Sequence, residues 1–563
     1  MNSSYVCGFW MVLCGVSLPA LAGNVKFIIN VDGTVASSAV SGRLVIGLVR
    51  DDIASLKQTD PNDAPIWDEP QPMLAATITD LTPGTPVYPT TFDAVNTTGT
   101  AALEGTYRVA ARLITNRQTS NWRNDAGNLY TAPINVTFTK DGDQTVELTL
   151  SQKTPGRTWP AEEAAALGAQ LVEIRSTLLS DFHHRDVMLR ASVVPPRKMA
   201  EGAKYAAVYQ VPGFGGRHFD GLQEAKRRKE PLEGAAAKLA DQTFWITLDP
   251  ESPNGHTLFA DSANNGPCGK ALVEELIPAI EAKFPQLATK PEARMLRGHS
   301  SGGWSTLWLT ITYPQTFGAC WSSSPDPVDF RRFQLIDIYG QRSAYLLAEN
   351  DLAFSNPLKQ SMQAPVVLGD RFLSRVEFGG RPRVLALGSF RNKGKCVMTV
   401  EQETRGEDVL GPDNTSGQQW DSWWAVFCPR NARGNPVALI DPATGNIDSS
   451  VADVMRPYDI AEQLRNSPGK LGQIFRSRVR LVVGTADNFY LNEAVSLLQT
   501  ELDRRVPPLA PDKQVGYIEF VQGADHGTVF QSPRIKGIPA EMVAHLERSG
   551  LAIAAEPAPA PPK

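Results

Sequence analysis

Apolar strand-like segments and amphipathic segments alternate along the chain from about residue 186 to residue 550. Segments such as "YAAVYQ" and "VRLVVG" are predicted strands, and "KALVEELIPAIEAKF" is a predicted helix. This alternation is typical of a mostly parallel sheet with helices on both of its faces. We therefore predict an α/β domain over residues 156–550.

The segment 23–155 has a different pattern. It contains short runs rich in Val, Ile and Thr, separated by turns with Gly, Pro, Asp and Asn. Such runs indicate strands, and we predict an N-terminal all-β domain with the antiparallel architecture of a sandwich. The next stretch, "AEEAAALGAQLVEIRSTLLSDF", is predicted to be a helix on its composition and period.

Residues 327–470 interrupt the alternation of strands and helices. This stretch is rich in Trp and Phe and is too long for a simple connection. Because long insertions inside a domain usually have their own structure or a function, we predict a cap over the active edge of the sheet. Three of its tryptophans, Trp420, Trp423 and Trp424, either contact an apolar or sugar-bearing substrate or form the core of the cap.

The two ends of the chain are predicted to lie outside the fold. Residues 1–22 have the apolar run and the Ala20-Leu21-Ala22 cleavage pattern of a secretory signal peptide, the alternative being an uncleaved anchor helix. We therefore expect a secreted or periplasmic protein without a membrane span after cleavage. Residues 551–563 are rich in Pro and Ala, which predicts a disordered tail.

Four cysteines remain after removal of the signal peptide: Cys268, Cys320, Cys396 and Cys428. An even number of cysteines in an exported protein predicts disulfides. We expect the pairs Cys396–Cys428 and Cys268–Cys320, and four buried free thiols are the alternative. The net charge of −5 gives no reason to expect a nucleic-acid partner.

The segment Gly298-His299-Ser300-Ser301-Gly302 matches the pattern G-x-S-x-G between a predicted strand and a predicted helix. A tight turn at this place fixes and exposes a nucleophilic serine, and small residues relieve its strained backbone. The glycine spacing selects Ser300 as the nucleophile. The backbone N–H of Ser301 then faces the oxyanion, and His299 is expected to pack against the turn rather than act as the base.

A serine hydroxyl requires a base, and imidazole is the side chain with a pKa near neutrality. Only His526 and His545 follow Ser300 in the chain, and His526 is the one that lies just after a predicted strand. We predict His526 as the base and Asp487, at the end of another predicted strand, as the acid that orients it. Asp326 and Asp329 are alternatives for the acid.

The second oxyanion donor is expected in the glycine-rich stretch Pro212-Gly213-Phe214-Gly215-Gly216, which follows a predicted strand. The backbone N–H of Phe214 is the first choice and that of Gly215 the second. The stretch lacks the patterns of a phosphate-binding loop. Chemistry of this kind requires neither a metal ion nor an organic cofactor.

The motifs "PGFGG", "GHSSGGWST", "GTADNFY" and "GADHG" occur in this order over residues 186–550. Together they resemble the putative-esterase branch of the α/β-hydrolase superfamily, which includes esterase D and enterochelin-esterase-like proteins. The resemblance implies a carboxylic ester hydrolase, and enterochelin-esterase-like members can carry an N-terminal β-sandwich. The family has a histidine where this chain has Pro212, which leaves the identity of the oxyanion donor open.

These features predict a secreted serine carboxylic ester hydrolase that acts through an acyl-enzyme on a small-molecule or carbohydrate-linked ester. One alternative is a serine peptidase of the prolyl-oligopeptidase type, which uses the same order of catalytic residues. The other is a non-catalytic secreted binding protein with a hydrolase fold. The sequence does not predict the acyl group, the alcohol or the oligomeric state.

Overall fold

The computed structural model describes most of the chain. The described residues are 25–66, 69–97, 99–140, 143–346, 377–378, 381–382, 385–389 and 395–551. The predicted signal peptide (1–22) lies outside them, as do part of the predicted cap and all but residue 551 of the predicted tail.

The N-terminal part, residues 25–153, is built of strands and is called the β-rich region. Its strands are β1 (Val25–Val31), β2 (Val40–Arg50), β3 (Met73–Leu81), β4 (Asp93–Val95), β5 (Gly105–Ile114), β6 (Leu129–Tyr130), β7 (Ile134–Phe138), β8 (Gln144–Leu150) and β9 (Gln152–Lys153). Seven of them form an antiparallel sheet in the order β4-β3-β2-β5-β6-β9, with β7 also paired to β5.

A second, smaller layer covers one face of this sheet. It consists of β1 and β8, which pair with each other in parallel. Alternate side chains of both layers, among them Phe27, Leu148 and Ile46, form one buried apolar cluster. The antiparallel arrangement expected for this region therefore holds for the large sheet, but the second layer is a parallel pair and not a second antiparallel sheet.

The α/β region, residues 161–551, contains an eight-stranded sheet. Its strands are β10 (Gln170–Arg175), β11 (Met188–Val194), β12 (Ala206–Val211), β13 (Thr243–Leu248), β14 (Arg294–His299), β15 (Ala319–Ser323), β16 (Val479–Gly484) and β17 (Tyr517–Val521), in the spatial order β10-β11-β13-β12-β14-β15-β16-β17. Strand β11 is antiparallel to both of its neighbours, and every other pair is parallel.

Helices pack on both faces of this sheet. They are α1 (Ala161–Leu167), α2 (Thr177–His183), α3 (Gly221–Lys229), α4 (Gly234–Gln242), α5 (Cys268–Ala271), α6 (Ile277–Lys283), α7 (Ser301–Thr312), α8 (Val400–Leu410), α9 (Gln419–Phe427), α10 (Ser449–Met455), α11 (Ile460–Asn466), α12 (Pro468–Arg478), α13 (Leu491–Arg505), α14 (Pro533–Lys536) and α15 (Ile538–Arg548). A π-helical turn, Leu272–Leu276, joins α5 to α6.

Alternate residues of the central strands face two separate cores. In β12, Val208 belongs to the core with α3, α4 and α15, whereas Tyr209 belongs to the core with α6, α7 and α13. This alternation is what a sheet covered on both faces requires. The predicted α/β architecture is therefore confirmed, and the carboxyl ends of its parallel strands meet at one edge.

Residues 324–478, between β15 and β16, are called the insertion. Besides α8 to α12 they contain two short hairpins, Glu377–Phe378 with Arg381–Pro382 and Leu385–Ser389 with Lys395–Thr399. The tryptophans of α9 are buried against Phe333 of the same insertion. Of the two alternatives for Trp420, Trp423 and Trp424, a packing role therefore agrees with their burial.

Two expectations about local structure are wrong. The stretch predicted as one helix forms α1, β10 and α2, because Gly168 ends α1 in a left-handed conformation (φ 77°) and "QLVEIR" pairs with β11. The predicted disulfides are also wrong, because Cys268, Cys320 and Cys428 are free and buried in the core. The partner assigned to Cys428 was Cys396, whose side chain lies outside the described part.

Candidate active site

Ser300 stands in the sharp turn between β14 and α7, where its backbone has φ 58° and ψ −126°. Residues other than glycine rarely adopt such a backbone conformation, and it persists only where the surroundings enforce it. A Cβ atom on Gly298 would overlap the carbonyl oxygen of Gly302, and one on Gly302 would overlap that of Val211. The glycines selected from the sequence are therefore required by the close packing of the turn.

Two of the predicted site residues lie at the ends of neighbouring strands. Asp487 follows β16, and His526 follows β17. The Nδ1 atom of His526 and the Oδ2 atom of Asp487 are 2.8 Å apart, and the carboxylate is completely buried. The backbone N–H of Phe489 donates a second hydrogen bond, 3.0 Å long, to Oδ1 of Asp487.

The contact between these two residues fixes their ionisation. Burial disfavours the charged form of both groups, but their mutual attraction and hydrogen bond outweigh it. As a result the pKa of His526 is raised above its ordinary value, and the pKa of Asp487 is lowered. Asp487 is thus a carboxylate that holds the Nδ1–H tautomer of the imidazole and leaves Nε2 free to accept a proton.

His299 packs against His526 with its ring centroid 4.4 Å away, and the ring of Phe530 lies on it at 4.5 Å. Its Nδ1 atom is 3.0 Å from the hydroxyl of Ser323. Burial, followed by the proximity of His526, lowers the pKa of His299 to about 3. A group with so low a pKa is a poor base at neutral pH, which agrees with the packing role expected for it.

No hydrogen bond joins the hydroxyl of Ser300 to His526 among the described residues. Catalytic hydrogen bonds of this kind are often long in an unliganded enzyme and shorten when substrate binds. The other histidine that follows Ser300 in the chain, His545, is buried in α15 and contacts the carbonyl oxygen of Glu292 at 2.8 Å. It therefore lies away from the edge at which β16 and β17 end.

The glycine-rich stretch 212–216 reaches the nucleophile. A Cβ atom on Gly213 would lie 3.1 Å from the carbonyl oxygen of His299 and 3.5 Å from Cβ of Ser300, so Gly213 stands close to the turn that carries Ser300, and Phe214 is the next residue along. The N–H of Gly216 donates to the carbonyl of Gly213 over 2.9 Å, which closes a turn around Phe214 and Gly215. Phe214, the predicted oxyanion donor, therefore lies in a closed turn directly after Gly213.

A histidine that the sequence did not single out holds this stretch in place. His256 is fully buried, and burial lowers its pKa to about 4, so it is neutral at physiological pH. Its Nδ1 atom accepts the N–H of Leu258, and its Nε2–H consequently donates to the carbonyl of Pro212 over 3.0 Å. A histidine in a loop without any motif gives no sequence signal for such a role.

A second buried pair anchors the other end of the stretch. Nδ1 of His218 lies 2.6 Å from Oδ2 of Asp249, and a guanidinium nitrogen of Arg217 lies 2.9 Å from the same oxygen. Burial favours the protonated acid, but the His218 hydrogen bond and the Arg217 charge together lower the pKa of Asp249 to about 2. No motif in the sequence marks this pair either, because Asp249 is 31 positions away from His218.

Asp326, an alternative for the acid, hydrogen-bonds to other partners. Its Oδ2 atom accepts 2.8 Å hydrogen bonds from the hydroxyl of Ser301 and from the indole N–H of Trp423. Burial raises its pKa to about 6. The other alternative, Asp329, is fully buried and pairs with Arg331 and Arg465. The hydrogen-bonded partner of His526 is therefore Asp487, and Asp326 connects the insertion to the residue after the nucleophile.

In the part of the chain that the structure describes, no cluster of His, Cys, Asp or Glu side chains is arranged to hold a metal ion. Over the same residues, no helix combines the length and the apolar character needed to cross a bilayer.

Residues 187–435 match the model of a protein family described as "Putative esterase". The predicted resemblance to this family is thereby confirmed for this segment, and the match supports a hydrolytic enzyme of the esterase type. The matched segment contains Phe214, Ser300 and Ser301, and it ends before Asp487 and His526.

No curated protein matches the chain significantly. Similar solved structures include a ferulic acid esterase, with 10% identity, a TM-score of 0.36, and coverage of 67% of this chain and 98% of the other. An S-formylglutathione hydrolase from Agrobacterium tumefaciens has 12% identity, a TM-score of 0.35, and coverages of 68% and 96%. FphF, a fluorophosphonate-binding serine hydrolase of Staphylococcus aureus, has 11% identity, a TM-score of 0.34, and coverages of 66% and 97%. Likenesses at these TM-scores carry no conclusion about the substrate.

Proposed function

We propose that this protein is a serine carboxylic ester hydrolase in which Ser300, His526 and Asp487 form the catalytic triad. The observation that carries the proposal is the 2.8 Å contact between His526 and the buried Asp487, at the sheet edge where Ser300 stands in its strained turn. The match of residues 187–435 to the putative-esterase family model supports the same reaction class. We also propose export of the protein, on the signal peptide predicted from its sequence.

In the proposed reaction, Nε2 of His526 takes the hydroxyl proton of Ser300 while the serine oxygen attacks the ester carbonyl. Asp487 stabilises the imidazolium that forms. The backbone N–H groups of Ser301 and Phe214 bind the oxyanion, and the N-terminus of α7 adds its dipole. His526 then gives its proton to the leaving alcohol, and an acyl group remains on Ser300. Water, activated by the same imidazole, releases the acid.

The proposal is tested by labelling with a fluorophosphonate probe and by hydrolysis of 4-nitrophenyl acetate. We expect wild-type protein to be labelled at Ser300, and we expect Ser300→Ala to lose labelling and to lower kcat by about 10⁴-fold or more. Ser301→Ala is the matched control, because it retains the backbone N–H and loses only the hydrogen bond to Asp326. The kcat of this control should fall by no more than about tenfold.

Full activity in Ser300→Ala, or a larger loss of activity in Ser301→Ala than in Ser300→Ala, would show that Ser300 is not the nucleophile. An unlabelled and inactive wild type would instead favour a non-catalytic binding protein. Cleavage of peptidyl 4-nitroanilides at rates comparable to those of esters would favour the peptidase alternative.

A further inference from the structure

A groove of about 420 Å³ lies between the β-rich region and the glycine-rich stretch that follows β12. We call it the junction groove. From the β-rich region it is lined by Asn121, Arg123 and Asn124, from the glycine-rich stretch by Phe214 and Gly215, and from the insertion by Gln418. Three parts of the chain that are far apart in sequence therefore build one concave surface.

The junction groove begins close to the proposed nucleophile. A Cβ atom on Gly213 would lie 3.5 Å from Cβ of Ser300, and the next two residues, Phe214 and Gly215, form part of the groove wall. A substrate with its carbonyl at Ser300 therefore has one of its two ends within reach of this surface. The β-rich region thereby contributes side chains beside the site in the α/β region.

Hydrogen bonds within the loop define the shape of the part of the β-rich region that lines the groove. In the 115–128 loop, between β5 and β6, the side chain of Asn128 receives the N–H groups of Thr115 and Asn116 and donates to the carbonyl of Trp122. The carboxylate of Asp125 receives the N–H of Thr119 over 3.0 Å. Such a loop presents its side chains in a fixed geometry, which lowers the entropic cost of binding.

The same loop is fixed to the rest of the molecule. The N–H of Ser120 donates to the carboxylate of Glu251 over 2.7 Å, and the carbonyl of Ser120 accepts from the side-chain amide of Gln418 over 2.8 Å. The guanidinium of Arg117 donates to the carbonyl of Thr415 over 2.7 Å. The groove walls therefore hold their relative positions without a ligand.

The side chains of the groove indicate what it would bind. The amides of Asn121 and Asn124 make no side-chain hydrogen bond with other described residues, and the same holds for the side-chain oxygen of Gln418. Amides both donate and accept, as do the hydroxyl groups of a polyol or sugar. The partly buried ring of Phe214 adds an apolar surface against which C–H groups can pack.

A charged ligand fits the groove less well. One nitrogen of the Arg123 guanidinium, Nη2, donates to the carbonyls of Asp63 and Ala64, each 2.7 Å away, and the guanidinium lies over the ring of Trp122. Asp63 also lines the groove, and its negative charge disfavours an anion. The amide groups of Asn121, Asn124 and Gln418 are neutral, which suits an uncharged ligand.

We propose that the junction groove binds a neutral polyhydroxylated group, such as a sugar or polyol unit, on one side of the ester bond. The inference rests on the proposed function, since it assigns the groove to the substrate of Ser300. It also gives the β-rich region a role in selecting substrate.

The test compares two acetyl esters, 4-nitrophenyl acetate and 6-O-acetylglucose, in wild-type protein and in an Asn121→Ala/Asn124→Ala double variant. We expect the ratio of kcat/KM for the sugar ester to kcat/KM for the nitrophenyl ester to fall by about tenfold or more in the variant, mainly through KM. The control variant is Gln118→Ala, in the same loop, whose exposed side chain contacts Asn116 and not the groove. This control should keep the wild-type ratio.

An unchanged ratio in the double variant would overturn the groove proposal, and so would a wild type that is labelled by fluorophosphonate but does not hydrolyse 6-O-acetylglucose. Both outcomes leave Ser300 in its proposed role. If the wild type neither hydrolyses 4-nitrophenyl acetate nor reacts with the probe, the proposed function itself fails.

Discussion

Hydrogen bonds on both sides of Ser300 maintain its strained backbone. Its N–H donates to the carbonyl of Ser323 over 3.0 Å, and its carbonyl accepts from the N–H groups of Trp304 (3.0 Å) and Asp326 (3.3 Å). A conformation of this kind costs about 1–3 kcal/mol and persists where its surroundings determine it from several directions. The backbone that carries the hydroxyl is thereby fixed before any substrate arrives, which lowers the entropic cost of the attack.

The pH dependence of the reaction follows from the ionisation of His526. The base must be neutral to accept a proton, and the pKa of His526 is raised above its ordinary value of 6.5, since the attraction of Asp487 outweighs the effect of burial. We therefore expect kcat/KM to fall on acidification, with a midpoint above pH 6.5 and about tenfold loss per pH unit below it. The measurement is kcat/KM for 4-nitrophenyl acetate from about pH 5 to about pH 9.

The variant Asp487→Asn tests whether the charge of Asp487 raises the pKa of His526. It removes the charge that raises the pKa of His526 and loses the tautomer control, so kcat should fall by about 10⁴-fold. Asp326→Asn, a buried acid without a hydrogen bond to His526, should retain far more activity. A wild-type rate that stays flat down to about pH 4 would contradict a histidine base.

At the scale of single elements, the turn around Ser300 was predictable because its requirements are local. The glycines at 298 and 302, the strand before them and the helix after them are all adjacent in sequence. The assignment of β10 failed for the opposite reason. "QLVEIR" has enough helix-forming residues to read as helix, but its pairing with β11, about 20 positions later, decides its structure.

Long-range packing also explains what the sequence did not reveal about the site. His256 and the pair His218–Asp249 reach the glycine-rich stretch from other parts of the chain, and no motif marks them. Three of the cysteines paired on the sequence rule for exported proteins, Cys268, Cys320 and Cys428, lie instead as free thiols among apolar side chains. Asp487 and His526 were found because the ends of parallel strands must meet at one edge.

The turn gives a prediction about stability. Gly302→Ala would place a methyl group against the carbonyl oxygen of Val211, and only a shift of α7 or β12 would relieve the overlap. We expect a loss of about 1–3 kcal/mol in the free energy of unfolding, together with a fall in kcat as Ser300 is displaced. Urea denaturation and the hydrolysis of 4-nitrophenyl acetate measure the two effects.

Gly469→Ala is the matched control for this substitution. Gly469 lies in the first turn of α12, and a Cβ atom there would meet nothing within 4 Å. The change should leave activity intact and stabilise the protein by about 0.4–1 kcal/mol. If Gly302→Ala were equally harmless, close packing of the turn would not explain why position 302 is a glycine.

At the scale of the whole molecule, the β-rich region and the insertion share an apolar core. Met73 and Trp122 of the β-rich region are buried together with Val409 and Leu410 at the end of α8. Beside this cluster, the guanidinium of Arg43 donates to the carbonyl of Val409. A core shared by two parts of a chain makes their unfolding cooperative, because neither can open without exposing the other.

The substitution Leu410→Ala tests this cooperativity. Leu410 is fully buried in the shared cluster, so its truncation should lower the free energy of unfolding by about 2–5 kcal/mol. We expect peptides from β5 in the β-rich region and from β14 in the α/β region to lose hydrogen-exchange protection together, at a urea concentration lower than in the wild-type protein. Val454→Ala, at an exposed position of the same insertion, should change stability by no more than about 0.5 kcal/mol. If β5 kept its wild-type midpoint while β14 shifted, the two regions would unfold independently, and the rigid junction groove would lose its structural basis.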